Sequence, residues 1–229
     1  MDLQDFFPSV DANRIWGLFR SLGYPYEVIR ALTHLCTCYS KPSQLWEATK
    51  GFVSRSERHR LLSLYHRKHL PQGAPTSPAL ANLITYRLDC RLAGLAEAAG
   101  FFYTRYADDL LFSGGRDLDR SSKSFSALVG AIVLEEGFQL QYRKSRLMRQ
   151  STRQSAAGIV INQKTNLARS DYDNLKATLH NCIRYGWESQ NRNHHPDFRS
   201  HLFGRISWVQ QLNSVRGEKL KRLFGQITW

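Results

Sequence analysis

Acidic residues, cysteines and long apolar runs are all scarce in this 229-residue chain, and each shortage excludes something. The longest apolar run, residues 127–134, is interrupted at Gly130. A membrane-crossing helix needs roughly 20 apolar residues, so none is expected. The opening Met-Asp-Leu-Gln-Asp has neither a basic nor an apolar segment of the kind that directs secretion, which points to a cytoplasmic location. Of the four cysteines, Cys36 and Cys38 stand two apart near His34, while Cys90 and Cys182 are isolated in apolar helical patterns. A zinc site normally shows Cys-x-x-Cys spacing or a Cys pair with a downstream His pair, so reduced core thiols are the expectation. No internal repeat is present. With 42% apolar and 22% charged residues, the composition excludes intrinsic disorder and a collagen-like repeat.

The acidic deficit is unevenly distributed. The whole chain has 32 Lys+Arg against 19 Asp+Glu, a formal net charge of +13. Residues 1–140 hold 16 basic and 14 acidic residues, whereas residues 141–229 hold 16 and 5, so the excess lies almost entirely in the C-terminal part. A basic segment joined to a balanced one suggests a polyanion-binding part, with nucleic acid as the favoured partner.

Periodicity divides the chain in the same way. Ile15, Leu18, Phe19 and Leu22, then Val28, Ile29, Leu32 and Leu35, repeat at helical spacing on either side of Gly23 and Pro25, predicting two helices. Residues 40–68 are polar and basic and read as loop plus a short helix. Residues 70–78 are Gly- and Pro-rich and read as a loop, with Ser77 able to cap and Pro78 able to start a helix running to Gly100. Residues 101–115 read as a hairpin with Asp108 and Asp109 at its turn. Residues 121–136 predict a helix, and residues 138–142 and 157–161 predict strands. Beyond Asn162 only helices are expected, one opened by a capping box at Ser170 to Asp173 and one capped by Asp197.

Asp108 and Asp109 carry the chemistry. Turns favour Asp, so an adjacent pair alone is a weak signal. A third carboxylate on a neighbouring strand, Asp2, would complete an oxygen-rich site for hard divalent cations, most plausibly Mg²⁺. Two such ions activate a hydroxyl nucleophile and stabilise a leaving pyrophosphate during in-line phosphoryl transfer.

Three motifs in order resemble those of reverse transcriptases, especially of bacterial retrons. Tyr106-Ala107-Asp108-Asp109, within Tyr103 to Ser113, resembles the catalytic hairpin. Gln72-Gly73-Ala74-Pro75-Thr76-Ser77-Pro78 resembles the nucleotide-binding loop, and Asp2-Leu3-Gln4-Asp5-Phe6-Phe7-Pro8-Ser9-Val10 the first catalytic strand. Gly158-Ile159-Val160-Ile161-Asn162 and Gly204-Arg205-Ile206 with Leu212-Asn213 are similar to the primer-grip region and thumb. The chain departs from the retron pattern at Ala156-Ala157-Gly158, where Val-Thr-Gly is usual, and at Tyr142, where Asn is usual.

The resemblance implies an α+β fold: a polymerase palm, an antiparallel sheet with packed helices, over residues 1–162, then an all-helical basic thumb over 163–229. It implies Asp2, Asp108 and Asp109 as catalytic ligands of two Mg²⁺ ions, or Mn²⁺ in their place. Asp5, Phe7, Gln72, Gly73, Tyr106 and Lys144 would form the nucleotide site. Phe7 would exclude a ribose 2′-hydroxyl, and Lys144 would protonate pyrophosphate. Arg143, Arg146, Gly158 and Asn162 would contact nucleic acid. Trp187, Trp208 and Trp229 are candidates for base stacking, with Trp208 better suited to core or interdomain packing. The implied partners are an RNA template and primer, dNTPs, a structured noncoding RNA and an effector protein, with a role in phage defence. Family members carry a fingers subdomain before the first catalytic strand, so the chain is expected to be the later part of a larger enzyme. Two alternatives stay open: a catalytically inactive RNA-binding remnant, and a polymerase of group II intron-like or other defence-associated lineage.

Overall fold

The computed structural model describes residues 1–51 and 54–229, and they divide into two compact units, Met1–Leu147 and Met148–Trp229. The fold is α+β, dominated by helices, with small antiparallel sheets. The division falls earlier than the change to an all-helical pattern expected near residue 162. The reason is local: Gln154, Val160 and Ile161 bond with residues on the C-terminal side of the boundary, and the Arg216 guanidinium donates to Asn166 Oδ1 at 3.2 Å.

The first unit opens with residues 1–10 and continues into α1 (Ala12–Ser21) and α2 (Tyr26–Leu35). Asp11 caps α1 by accepting from the Arg14 N–H at 3.0 Å. The polar stretch that follows forms two helices rather than one, α3 (Pro42–Thr49) and α4 (Arg55–Tyr65); Phe52 and Val53 lie outside the described residues. Neither helix has a fully buried residue, which is why apolar periodicity did not announce them.

The helix expected to run unbroken to Gly100 is two, α5 (Ser77–Ile84) and α6 (Tyr86–Ala98). Thr85 separates them; it is fully buried, and its hydroxyl donates back to the Ala81 carbonyl at 2.8 Å. Ser77 is the first helical residue rather than the cap, and its hydroxyl donates to the Pro71 carbonyl at 2.6 Å.

The hairpin forms as β1 (Phe102–Tyr106) and β2 (Asp109–Ser113), with Tyr106 opposite Asp109. Next comes α7 (Arg116–Glu135), which ends at Gly137 (φ +80°). There the Phe138 N–H donates to the Val133 carbonyl and the Gly137 N–H to Leu134, the paired bonds of a Schellman stop. Residues 138–142 form no strand of their own: a single bridge joins Leu140 to Leu3, and Tyr142–Lys144 coil into a 3₁₀ turn. The core joins Leu3, Phe6, Ile15, Leu88, Leu110, Val129 and Phe138.

In the second unit, the strand expected over residues 157–161 is instead a tight hairpin. Its strands are β3 (Ser155–Ala156) and β4 (Ile159–Val160), and the turn is at Ala157 (φ +48°) and Gly158 (φ +78°). Helices α8 (Arg169–Tyr185), α9 (Phe198–Leu212) and α10 (Ser214–Phe224) follow and share a core of Leu175, Leu179, Leu202, Ile206, Val209 and Leu220.

The expected capping box at Ser170 is absent because α8 already starts at Arg169, with Ala168 as an uncapped entry. Asp197 does cap α9, accepting from the Ser200 N–H at 3.0 Å. Two further expectations fail. Cys90 is exposed, whereas Cys36 and Cys182 are buried. Trp208 is 47% exposed and so is not a core residue; it lines a groove with Leu175 and Val209. Among the described residues no helix is long and apolar enough to cross a membrane.

Candidate active site

Residues 1–4 run between two neighbours and bond to both. On one side the Leu3 N–H donates to the Asp108 carbonyl at 2.8 Å and the Leu110 N–H to the Met1 carbonyl at 2.9 Å. On the other the Gln4 N–H donates to the Gln139 carbonyl and the Gln141 N–H to the Asp2 carbonyl, each at 2.8 Å. Asp2 therefore faces Asp109 across an antiparallel bridge, and directly opposed residues project to the same face. Asp108 lies beside them in the two-residue turn, just after Ala107, whose φ is +50°.

Bringing these carboxylates together has an electrostatic cost. Burial, with the charges of Asp2 and Asp109 adding to it, pushes the Asp108 carboxyl above the ordinary Asp range. Lys144 partly offsets the repulsion: its ammonium donates to Asp2 Oδ2 at 3.1 Å, and that bond raises its own pKa. Among the described residues no three His, Cys, Asp or Glu side chains form a ready metal cage. The donor set nevertheless suits a hard divalent cation. It offers only carboxylate oxygens, and Mg²⁺ is commonly held by one or two carboxylates plus substrate phosphates rather than by an all-protein cage.

A cavity of about 350 Å³ adjoins the carboxylates, and Asp2, Asp5, Phe7, Gln72, Asp108 and Lys144 all line it. Phe7 is half-buried, its ring 5.3 Å from that of Phe6 and packed on the core. Gly73 has φ +92° with open space where a side chain would stand, so its backbone conformation accounts for the glycine. Tyr106 is exposed beside Asp109, and Arg143 and Arg146 are exposed around the 3₁₀ turn. Gly158 and Asn162 belong to the second unit. There Gly158 makes the β3–β4 turn, while Asn162 accepts from the Gln154 N–H at 2.8 Å and donates to the Thr152 carbonyl at 2.8 Å, closing its own loop.

Two groups escaped the sequence reading. Arg60 of α4 enters the cavity and donates to Asp5 Oδ2 at 2.5 Å and to Glu57 Oε1 at 2.6 Å. The bond from Arg60 holds Glu57 below the usual carboxylate range. Asp5 has φ +47°, so a strained turn is tied down by a helix 55 positions away, a pairing without local signal. The second group is Arg105, inward-facing on β1 and bonded to Asp89 of α6. Its signal was available: alternation along β1 puts it on the core face with Tyr103, where a charge requires a partner.

The family model described as reverse transcriptase (RNA-dependent DNA polymerase) matches residues 1–177. The retron Mx65 reverse transcriptase of Myxococcus xanthus is 39% identical over 222 residues, which cover 97% of this chain and 48% of the relative. The retron Ec86 reverse transcriptase of Escherichia coli is 35% identical over 221 residues, 96% of this chain and 57% of the relative. The retron Mx162 reverse transcriptase of Myxococcus xanthus is 33% identical over 195 residues, 79% and 38% respectively. The chain thus spans about half the length of the curated relatives it matches. The paired aspartates at the hairpin, the bridged Asp2 and the family match over most of the chain agree: the chain belongs to the reverse transcriptase (RNA-dependent DNA polymerase) family, and it is similar to retron members of it.

Proposed function

We propose that the chain supplies the palm and thumb of an RNA-directed DNA polymerase that extends a primer on an RNA template with dNTPs. The palm is residues 1–162 and the thumb the helical residues 163–229. The observation that carries this reading is the bridge between Asp2 and Asp109, with Asp108 in the adjoining turn and Lys144 bonded to Asp2 at the same cavity. Asp2, Asp108 and Asp109 are the residues that would hold divalent cations, Mg²⁺ first. When bound, these ions neutralise phosphate charge and favour ionisation of the primer hydroxyl.

The chain's own groups do the rest. Gln72 bounds the nucleotide pocket and Gly73 exposes backbone at its edge. Phe7 walls the sugar, so deoxyribose is preferred. Lys144, kept protonated by Asp2, offers a proton to a leaving pyrophosphate oxygen. Asp5 shapes the turn under the triphosphate, Tyr106 flanks the nucleotide, and Arg143 and Arg146 contact the phosphate backbone.

The second unit holds 13 Lys+Arg against 5 Asp+Glu, which suits a duplex gripped through its backbone rather than its sequence. By analogy with the retron family that the motifs resemble, the template is a structured noncoding RNA, the partner an effector protein and the role phage defence.

A primed extension assay on an RNA template, comparing the protein with its Asp108→Asn variant, tests the reading. Incorporation of dNTPs that depends on Mg²⁺ and disappears in the variant is expected. Equal incorporation by both would reject the carboxylate site.

A further inference from the structure

Asp108 is useful only if its carboxylate points the same way at every turnover, yet it occupies a two-residue turn after a residue in the left-handed region. Ala107, at φ +50°, has no glycine-like freedom to explain that conformation, so something outside the turn must hold it.

The group in contact with the turn is Arg105. Its side chain is only 6% exposed, and its Nη1 donates both to the Ala107 carbonyl at 2.9 Å and to Asn82 Oδ1 at 3.0 Å. The rest of the guanidinium is gripped by Asp89, through Nε at 2.8 Å and Nη2 at 2.6 Å. Asp89 is itself fixed by the Tyr103 hydroxyl at 2.7 Å. The planar fork matters, because a bidentate carboxylate fixes where the remaining donor points, which a lysine ammonium does not.

Fixing the Ala107 carbonyl fixes the peptide plane that enters Asp108. The plane that leaves Asp108 is fixed separately, because its carbonyl accepts from the Leu3 N–H at 2.8 Å. Asp108 is therefore clamped on both flanks, by Arg105 before it and by the residue following Asp2 behind it. Arg105 also lies over the Phe6 ring, 5.8 Å from its centroid, in the same turn as Asp5 and Phe7.

We propose that Arg105 is a positioning residue for the polymerase reaction, aiming Asp108 through the Ala107 carbonyl while Asp89 holds the guanidinium in place. The inference rests on the polymerase reading above. It separates from a purely structural role because the affected step is the chemistry and the affected backbone is one turn.

The test compares Arg105→Lys and Asp89→Asn with the unaltered protein in primed extension, thermal melting and hydrogen exchange. Arg105→Lys keeps the charge and an ion pair to Asp89 but loses the fork. The expected result is a fall in kcat of about 10²-fold, the loss associated with a misplacement of about 1 Å, with the KM for dNTP changed by less than about 3-fold. Exchange at the Leu3 amide and in the 102–113 peptide rises, while α6 and α7 stay protected. Asp89→Asn, of nearly identical shape, gives the same pattern more weakly.

Full kcat with unchanged exchange in either folded variant overturns the proposal. So does a loss of activity that merely tracks the folded fraction. Asp108→Asn, run alongside, keeps the two ideas apart. If that variant retains activity, the polymerase site itself is wrong; if it is dead while Arg105→Lys is unimpaired, only the positioning role is rejected.

Discussion

The Lys144 ammonium lies 3.1 Å from Asp2 Oδ2, on a side chain that is 64% exposed, while the Asp2 side chain is 12% exposed. The pair thus joins a solvent-accessible cation to a nearly enclosed anion lining the cavity beside the aspartates. Lys144 holds its proton more tightly in the folded chain than free in water. Its contribution is therefore complete at neutral pH and disappears as pH rises through the raised lysine value. Lys144→Met should lower kcat by about 10-fold or more if the ammonium acts as general acid. It should also flatten the alkaline fall of the pH–rate profile. A profile unchanged in shape, measured by single-nucleotide extension between neutral and alkaline pH, would remove Lys144 from the chemistry.

Asp108 shifts in the same direction from a different cause, burial rather than an ion pair. Its folded-state pKa is raised, so the stability it contributes is present below the unfolded value and lost as pH rises through the folded one. The ionised form is the costlier one in the fold, first through burial and then through repulsion by Asp2 and Asp109. Asp108→Asn, without a charge, should melt about 1–3 °C higher in metal-free buffer after allowance for solvent screening. The unaltered protein should close that gap when Mg²⁺ is added. Calorimetric scans with and without Mg²⁺ test this without any assay of activity.

Phe7 provides a substrate-level prediction. Its ring packs on Phe6 and the core at one edge and lines the cavity at the other. Phe7→Ala should raise ribonucleotide incorporation relative to deoxyribonucleotide by about 10-fold or more, since steric exclusion of a hydroxyl is worth some 1–3 kcal/mol. The ratio of kcat/KM for matched rNTP and dNTP is the measurement.

Gly217 tests the second unit alone. A Cβ there would stand 2.4 Å from both the Cα and Cβ of Gln210, so α9 and α10 touch backbone to backbone. Gly217→Ala should cost about 1–3 kcal/mol through overpacking, despite alanine's better helix propensity. Thermal melting followed by the fluorescence of Trp187 and Trp229, whose rings lie 6.3 Å apart, reports on this unit. An unchanged transition would mean that the two helices separate freely.

Legibility in the sequence followed the range of each signal. The hairpin at Asp108 and Asp109 could be read because short aromatic and aliphatic runs flank an acidic turn. The stop of α7 at Gly137 was equally plain. What failed was either weakly amphipathic or non-local. Helices α3 and α4 bury no residue completely, so nothing marked their faces. The break at Thr85 depends on a hydroxyl turning back to Ala81, which threonine permits but does not announce. In the candidate site, Asp2 and Asp108 were recognisable as residue types in motifs. The bond from Arg60 to Asp5 spans 55 positions and had no motif at all. Asn162 shows the opposite limit: it sits in a recognisable motif, yet its side chain is engaged in its own loop.

Leu3 is 1% exposed and sits between Asp2 and Gln4, which face the other way along the same extended segment. Strand pairing can slip, and a slip of one residue would trade the two faces, sending a leucine to the cavity and a carboxylate into the core. Both errors are costly, so the apolar side chain acts as a gauge for the polar one beside it. The accuracy with which Asp2 meets Asp109 is thus set by a residue with no chemistry of its own.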